Sequence, residues 1–388
     1  MTRWALAAGD FTPRGGMDRA NHALARHLAM SGREVHLVAH RVWPDLAALP
    51  GVTVHHVPRP FGSHLLGAPL LARAASRAAR RLGPATRLLS NGGNTRWIAP
   101  TWVHYLHAAY APQVAADLKT RLSAAVGRRR YLAQEAETIR QAPAIICNSA
   151  RTASDVRRCY AVDPARLAVV YYGVDPHEFS AVTDEARREA RNALGLSAAA
   201  PVAIFIGALG DRRKGFDALF DAWRRLCADA AWDVNLAVVG VGAEAAAWEA
   251  RAAAAGLAPR MIFLRFRSDV ARVLAAGDVL VHPARYEAYG LGVHEALCRG
   301  LPAIVSAGAG VAERLPDDLR PLTLPEPIAA DDVFERLRLW RRDMDGWRAR
   351  AGAAGMALRA RTWDDMAADI AAIVERIESD STASTRTR

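Results

Sequence analysis

Short apolar runs alternate with amphipathic helical stretches along this chain, and the series breaks off once and then begins again. The first series is Trp4–Ala8, a helical pattern near Asp18–Ser31, Glu34–Ala39, Val52–Val57, a helical pattern near Ala68–Leu82, Leu88–Ser90, Ala144–Asn148 and Leu167–Tyr171. This is the rhythm of a parallel sheet covered by helices. Between Asp175 and Ala200 the texture changes to charged residues with Pro176 and a small-residue stretch, which reads as a helical connector. A second series follows: Val202–Ile206, Phe216–Ala228, Asn235–Val239, Ala243–Ala255, Ile262–Phe266, Val279–His282, Gly292–Arg299 and Ala303–Ser306. A chain of 388 residues exceeds what one ordinary core fills. The expected fold is therefore α/β, with two doubly wound, Rossmann-like domains facing across a cleft. The expected domains are residues 1–178 and 179–360. A helix over 361–378 follows, and then a small, polar, disordered tail from Ser379 to Arg388.

In such sheets ligands lie at the carboxyl ends of the strands. The loops expected there are Gly15-Gly16, His107, Gly207–Lys214, Val239–Gly242, Arg265–Arg267 and Glu287–Leu291. The richest is RYEAYGLGVHEALCRGLPAIVS, Arg285 to Ser306. Its turn Tyr289-Gly290-Leu291 feeds a helix whose first amides and positive dipole end form a ready anion site. Glu287 stands before the turn and Glu295 within the helix, where a carboxylate can accept two hydrogen bonds from a sugar diol. One segment can thus hold a phosphate, a ribose and a second sugar. Lys214 adds to this reading. The chain has only two lysines, Lys119 and Lys214, and Lys214 sits in a polar loop between an apolar run and a helix. Its compact ammonium suits a diphosphate.

These segments resemble the retaining glycosyltransferases of family 4, which have the B-type fold (GT-B). Glu287 to Glu295 looks like that family's Glu-x7-Glu motif. Gly15 to His40 is similar to its opening glycine turn, first helix and strand. TWVHYLHAAYAP resembles the strand whose end carries a histidine facing the donor sugar, which is His107 here. The stretch from Ile145 to Phe179 resembles the one that closes the first domain. The resemblance implies an acceptor-binding first domain, a nucleotide-sugar-binding second domain and a C-terminal helix that crosses back to the first. It implies retention of anomeric configuration, and it sets the loop Val238–Glu244 and Arg265 beside the nucleobase. The family usually has an arginine directly after the glycine that ends the Lys214 strand. Ala208 stands there, so Arg212 or Arg213 is expected to supply the charge.

Breaking a nucleotide-sugar bond requires stabilisation of the leaving diphosphate. Lys214, Arg212, Arg213 and the amides near Gly290 are the candidates. Asp331-Asp332 and Asp364-Asp365 fall in late segments, so no metal pair is expected at a strand end. Glu287 is assigned to the donor sugar's hydroxyls or to the cationic transition state, Glu295 to the ribose, and Gly15 and Gly16 to close backbone approach. The expected activity is metal-independent, cofactor-free transfer of a hexose-type sugar from a nucleoside diphosphate to a hydroxyl of a glycan, a lipid-linked glycan or a lipid. The alternatives are an epimerase or sugar-phosphate synthase on the same fold, and a non-catalytic nucleotide-sugar-binding subunit. The net charge of +11 comes with no nucleic-acid motif. It fits an anionic membrane surface or a phosphorylated acceptor. The arginine-rich stretches Leu70–Gly83 and Leu118–Arg140 read equally as lipid-facing or as solvated faces. No uninterrupted apolar run of about 18 residues occurs. The four cysteines have no metal-type spacing and read as reduced thiols. The expected location is the cytoplasm, peripheral on the inner face of the membrane.

Overall fold

The apolar runs become parallel strands in two separate sheets. A computed structural model describes residues 2–113, 118–210 and 212–386. The chain divides into two units. The first gathers residues 2–110, 118–173 and 361–386, and the second is built on 174–360. The first unit holds β1 (Arg3–Ala7), β2 (Asp10–Phe11), β3 (Glu34–Ala39), β4 (Arg41–Val42), β5 (Val52–His56), β6 (Arg87–Asn91), β7 (Thr101–Val103), β8 (Ile145–Cys147) and β9 (Leu167–Val169). Seven of these form one sheet in the order β5-β3-β1-β6-β7-β8-β9, while β2 and β4 pair apart. The second unit holds β10 (Val202–Ile206), β11 (Asn235–Val239), β12 (Met261–Arg265), β13 (Val279–His282), β14 (Ala303–Ser306) and β15 (Thr323–Leu324), in the order β12-β11-β10-β13-β14-β15. Val202–Ile206 and Val279–Val281 are buried on both faces, or nearly so, because helices cover each side of the sheet.

Both sheets reverse their direction of growth beside their first strand. That switch lies between β1 and β6 in the first unit and between β10 and β13 in the second. Crevices outside the carboxyl ends of strands open at such points.

The charged connector folds as a helix, Asp184–Leu194, whose N-cap Thr183 accepts from the Ala186 N–H at 3.1 Å. It is anchored to the second unit by one buried carboxylate. Asp278 accepts from Arg187 (2.7 Å), Arg191 (2.5 Å), Arg348 (2.6 Å) and the Val202 N–H (2.7 Å). The boundary between the units falls at Gly173/Val174, five residues before the expected one. Val174 and Phe179 are buried in the second unit's core and carry the connector with them.

The C-terminal helix, Trp363–Arg386, packs on the first unit. Met366, Ala367, Ile370 and Val374 are fully buried. His27 bonds Asp364 at 2.9 Å, and Arg33 and Arg87 both donate to Glu375. A Cβ on Gly173 would overlap the Thr362 carbonyl, so the outgoing and returning strands of chain touch backbone to backbone. The helix is described as far as Arg386, and Thr387 and Arg388 lie outside the described residues.

Candidate functional site

In the second unit two loops are joined at the switch point. One leaves β10 and carries Arg212, Arg213 and Lys214, and the other leaves β13 and carries Arg285 and Glu287. The Arg285 N–H donates to the Arg213 carbonyl at 2.8 Å. The Arg285 guanidinium donates to the Arg212 carbonyl (2.8 Å) and grips both oxygens of Asp217 (2.7 and 2.8 Å). Arg213 reaches the Tyr286 carbonyl. Gly215 has φ 69 and caps the helix Phe216–Leu226. A Cβ there would overlap the Pro283 carbonyl oxygen, so only glycine lets the loops close. The Gly-x-Gly of the next loop has a similar role. A Cβ at Gly240 would overlap the Gly207 carbonyl, and one at Gly242 the Leu209 carbonyl.

This closure brings Lys214 onto Glu287 in a direct ion pair with both side chains largely buried. His282, at the end of β13, bonds the same carboxylate oxygen at 2.9 Å. Burial alone would raise the Glu287 pKa. The Lys214 ammonium, the His282 hydrogen bond and the Arg213 charge outweigh it and hold the carboxyl well below the usual range. Burial, and then the Lys214 charge, lower the pKa of His282. At neutral pH His282 is therefore a neutral imidazole donating to a carboxylate.

Beyond Glu287 the chain turns at Gly290, φ 103, into the helix Leu291–Cys298. A Cβ on Gly290 would meet Val311 Cγ1 at 2.9 Å and Glu287 Cγ at 3.3 Å. The first-turn amides of this helix, Leu291 and Gly292, have no acceptor within it. Tyr289 is buried, with its hydroxyl 2.5 Å from His294 Nδ1 and its carbonyl accepting from the Val311 N–H. Glu295 lies in the second helical turn with its side chain buried. Of the two arginines expected to stand in at Ala208, Arg213 is half-buried and its charge reaches Glu287. Arg212 is exposed at φ 54. Arg265, at the end of β12, has φ 59 and pairs with Glu249 at 2.8 Å.

In the first unit His107 lines a cavity of about 480 Å³ with Gly9, Asn91, Gly92, Tyr131 and Glu135. Residues after both β1 and β6 line it, so it sits at that sheet's switch point. Met17, directly after Gly16, lines it too. Gly15 caps the helix Gly16–Met30 at φ 79. Glu135 organises the His107 loop: it accepts from the N–H groups of His107 (2.7 Å) and Ala108 (3.0 Å) and from the Tyr160 hydroxyl (2.6 Å). The Tyr131 ring stacks on the imidazole at 5.3 Å. Burial lowers the His107 pKa against the pull of Glu135. His104 is buried and bonded to Tyr172, and burial pushes its pKa down to about 3.

The structure thus joins Lys214 and Glu287 directly, holds Arg213 on the neighbouring Tyr286 carbonyl, sets Gly290 and Leu291 immediately after, and places Met17, which follows the Gly15-Gly16 turn, in the wall of the His107 cavity. Sequence reasoning passed over His282, Arg285, Asp217 and Glu135. Among the described residues no group of three His, Cys, Asp or Glu side chains is arranged to hold a metal ion.

Two family models match the chain: Glycosyltransferase Family 4 over residues 14–178 and Glycosyl transferases group 1 over residues 200–336. The lipopolysaccharide glucosyltransferase WaaG of Escherichia coli (strain K12) is 27% identical over 232 residues, which cover 59% of this chain and 62% of that protein. The D-inositol 3-phosphate glycosyltransferase of Jonesia denitrificans is 28% identical over 408 residues, 93% of this chain and 91% of the relative. Among solved structures, WaaG superposes with a TM-score of 0.78 at 21% identity, over 95% of this chain and 99% of its own. The Anabaena protein HepE, solved with UDP and glucose, gives 0.71 at 17% identity, over 97% of this chain and 100% of its own. At such identities the superpositions speak for the fold.

Proposed function

From the premise that this chain belongs to glycosyltransferase family 4 and has the GT-B fold, we propose that it is a retaining, metal-independent transferase. It moves a hexose-type sugar from a nucleoside diphosphate to a hydroxyl acceptor. The observation that carries the reading is the Lys214–Glu287–His282 cluster at the switch point, beside a helix N-terminus. Lys214, Arg213 and the amides of Leu291 and Gly292 take up the charge that develops on the diphosphate as the anomeric C–O bond breaks. Glu287, kept ionised, meets the sugar's hydroxyls or the positive charge of its ring. Glu295 takes the ribose and Arg265 borders the base. In the first unit, Gly15 and Gly16 lend backbone and His107 offers its imidazole to a sugar hydroxyl. The acceptor hydroxyl attacks from the face the diphosphate leaves, and its proton passes to a phosphate oxygen, so configuration is kept and no protein nucleophile or cofactor is needed.

The relatives named for lipopolysaccharide and D-inositol 3-phosphate support a glycan, lipid-linked or polyol acceptor. Among the described residues no helix is long and apolar enough to cross a membrane, and the four cysteines are unpaired. Both fit a cytoplasmic enzyme working against the inner membrane face.

The test has two parts. Thermal-shift screening against UDP-, GDP-, ADP- and TDP-sugars identifies the donor, and NMR of the product's anomeric proton reads its configuration. Full transfer by Lys214→Ala, Glu287→Ala and Glu295→Ala alike would overturn the site. An isomerised donor without acceptor would make the protein an epimerase instead.

A further inference from the structure

A second cavity opens on the first unit, and its chemistry differs from that of the His107 cavity. It is about 450 Å³ and lies between the helices His64–Leu82 and Leu118–Gln141 and the turn that follows β6. Five arginines line it: Arg73, Arg77 and Arg80 from the first helix, Arg96 from the turn and Arg130 from the second helix. Among the described residues Glu137 is the one carboxylate in its wall. The spacing 73, 77, 80 stacks three guanidinium groups on one helix face, while Arg81 of the same helix lies outside the cavity. Several arginines elsewhere in the unit are paired, among them Arg3 with Glu34, Arg41 with Asp10, and Arg33 and Arg87 with Glu375, whereas among the described residues the exposed Arg81 is not. Among the described residues Arg73, Arg77, Arg80 and Arg96 form no ion pair, and Arg130 makes one long bond, 3.4 Å, to the Leu65 carbonyl. Gly93 and Gln134 line both cavities, so the two adjoin.

Like charges gathered in one concave wall repel one another and concentrate anions. A guanidinium pairs with phosphate through two parallel hydrogen bonds, and several arginines can share one group. We propose that this groove is the subsite for a phosphate group on the acceptor, a phosphorylated polyol or glycan whose reacting hydroxyl lies in the adjoining His107 cavity. The proposal rests on the transferase reading and names its substrate class. A free sugar phosphate and the phosphate of a lipid-linked glycan present the same chemistry.

The test reads phosphate binding in the absence of any donor, so it stands or falls apart from transfer. Glucose 6-phosphate and glucose are titrated by calorimetry into the full chain. Phosphatidylcholine vesicles, with and without phosphatidic acid, are sedimented with it. The Arg77→Glu/Arg96→Glu variant changes two exposed groove residues, and Arg81→Glu changes an exposed arginine outside the groove. Glucose 6-phosphate is expected to bind where glucose does not, with a loss of at least about tenfold in the groove variant and less than about twofold in Arg81→Glu. Arg77→Lys/Arg96→Lys retains part of the binding. Recruitment to phosphatidic acid vesicles that fails in the groove variant, without binding of the soluble probe, supports the lipid-linked source. The proposal is overturned if neither probe binds, if the groove variant binds as the native chain does, or if Arg81→Glu loses as much. It is also overturned if binding disappears in Lys214→Ala alone.

Discussion

Glu287 satisfies an ammonium and an imidazole with one oxygen, and the consequences of removing it follow from that geometry. Glu287→Ala leaves Lys214 without its counter-charge in a largely buried place, at a stability cost of about 3 kcal/mol. It should also lower kcat/KM by roughly 10² to 10³. Lys214→Ala should match it in rate, and urea unfolding beside steady-state kinetics separates the two effects. Arg285 holds the loop that carries Lys214 through the Arg212 and Arg213 carbonyls. It aligns the loops through Asp217, so Arg285→Lys, which cannot keep both bonds, should raise KM for the donor more than it lowers kcat.

Asp18, next to the Gly15-Gly16 turn, shows the opposite electrostatics. Burial and the neighbouring Asp10 raise its pKa to about 6, against the pull of Arg41 and Arg59. A carboxyl whose folded pKa lies above its unfolded value favours folding only while protonated, and it opposes folding as pH rises through 6. Asp18→Asn should therefore stabilise the protein at pH 8 by about 1 kcal/mol after allowance for solvent screening, with the gain shrinking toward pH 4. A larger gain at pH 4 than at pH 8 would contradict this. Lys214 and Glu287 were legible in the sequence because lysine is so rare here and the two carboxylates frame a glycine turn. His282 was not, because a histidine ending an apolar run looks like any core residue. Arg285 and Asp217 were not, because their pairing spans 68 positions.

Among the elements, β1, β3, β5, β6, β8, β9 and β10–β14 were readable to within a residue or two, because their apolar runs are short and bounded by turn residues, whereas the two-residue strands β2 and β4 carry too few apolar residues to stand out. The close contacts between loops were not readable, since a glycine's neighbours are set by tertiary approach. Gly215→Ala should separate the Lys214 and Glu287 loops and cost about 3 kcal/mol or more, because the obstacle is a backbone carbonyl that cannot rotate away. Arg265→Gly should be neutral or slightly stabilising, as its φ of 59 suits glycine. Asp278 is the connector's anchor. Asp278→Ala would leave Arg187 and Arg191 buried without their counter-charge, at a cost of about 3 to 5 kcal/mol. Hydrogen exchange should then show the helix Asp184–Leu194 opening ahead of the rest of its unit.

At the scale of the whole molecule, the second unit is inserted into the first. The chain leaves the first unit at Gly173 and rejoins it at Arg361. The resemblance implied the returning helix, but only the structure shows that its buried face completes the first unit's packing. Truncation before Thr362 removes Met366, Ile370 and Val374 from that core, about 1.5 to 3 kcal/mol each. Limited proteolysis should then digest the first unit while a fragment near 174–360 survives. Equal digestion of both would argue against two separate cores. Because both ends of the polypeptide belong to one unit, tension applied at the termini, as between the handles of an optical trap, is borne entirely by that unit. The inserted unit stays slack until its host has given way, so the extension trace should rip twice in an order set by connectivity, whichever half is the more stable.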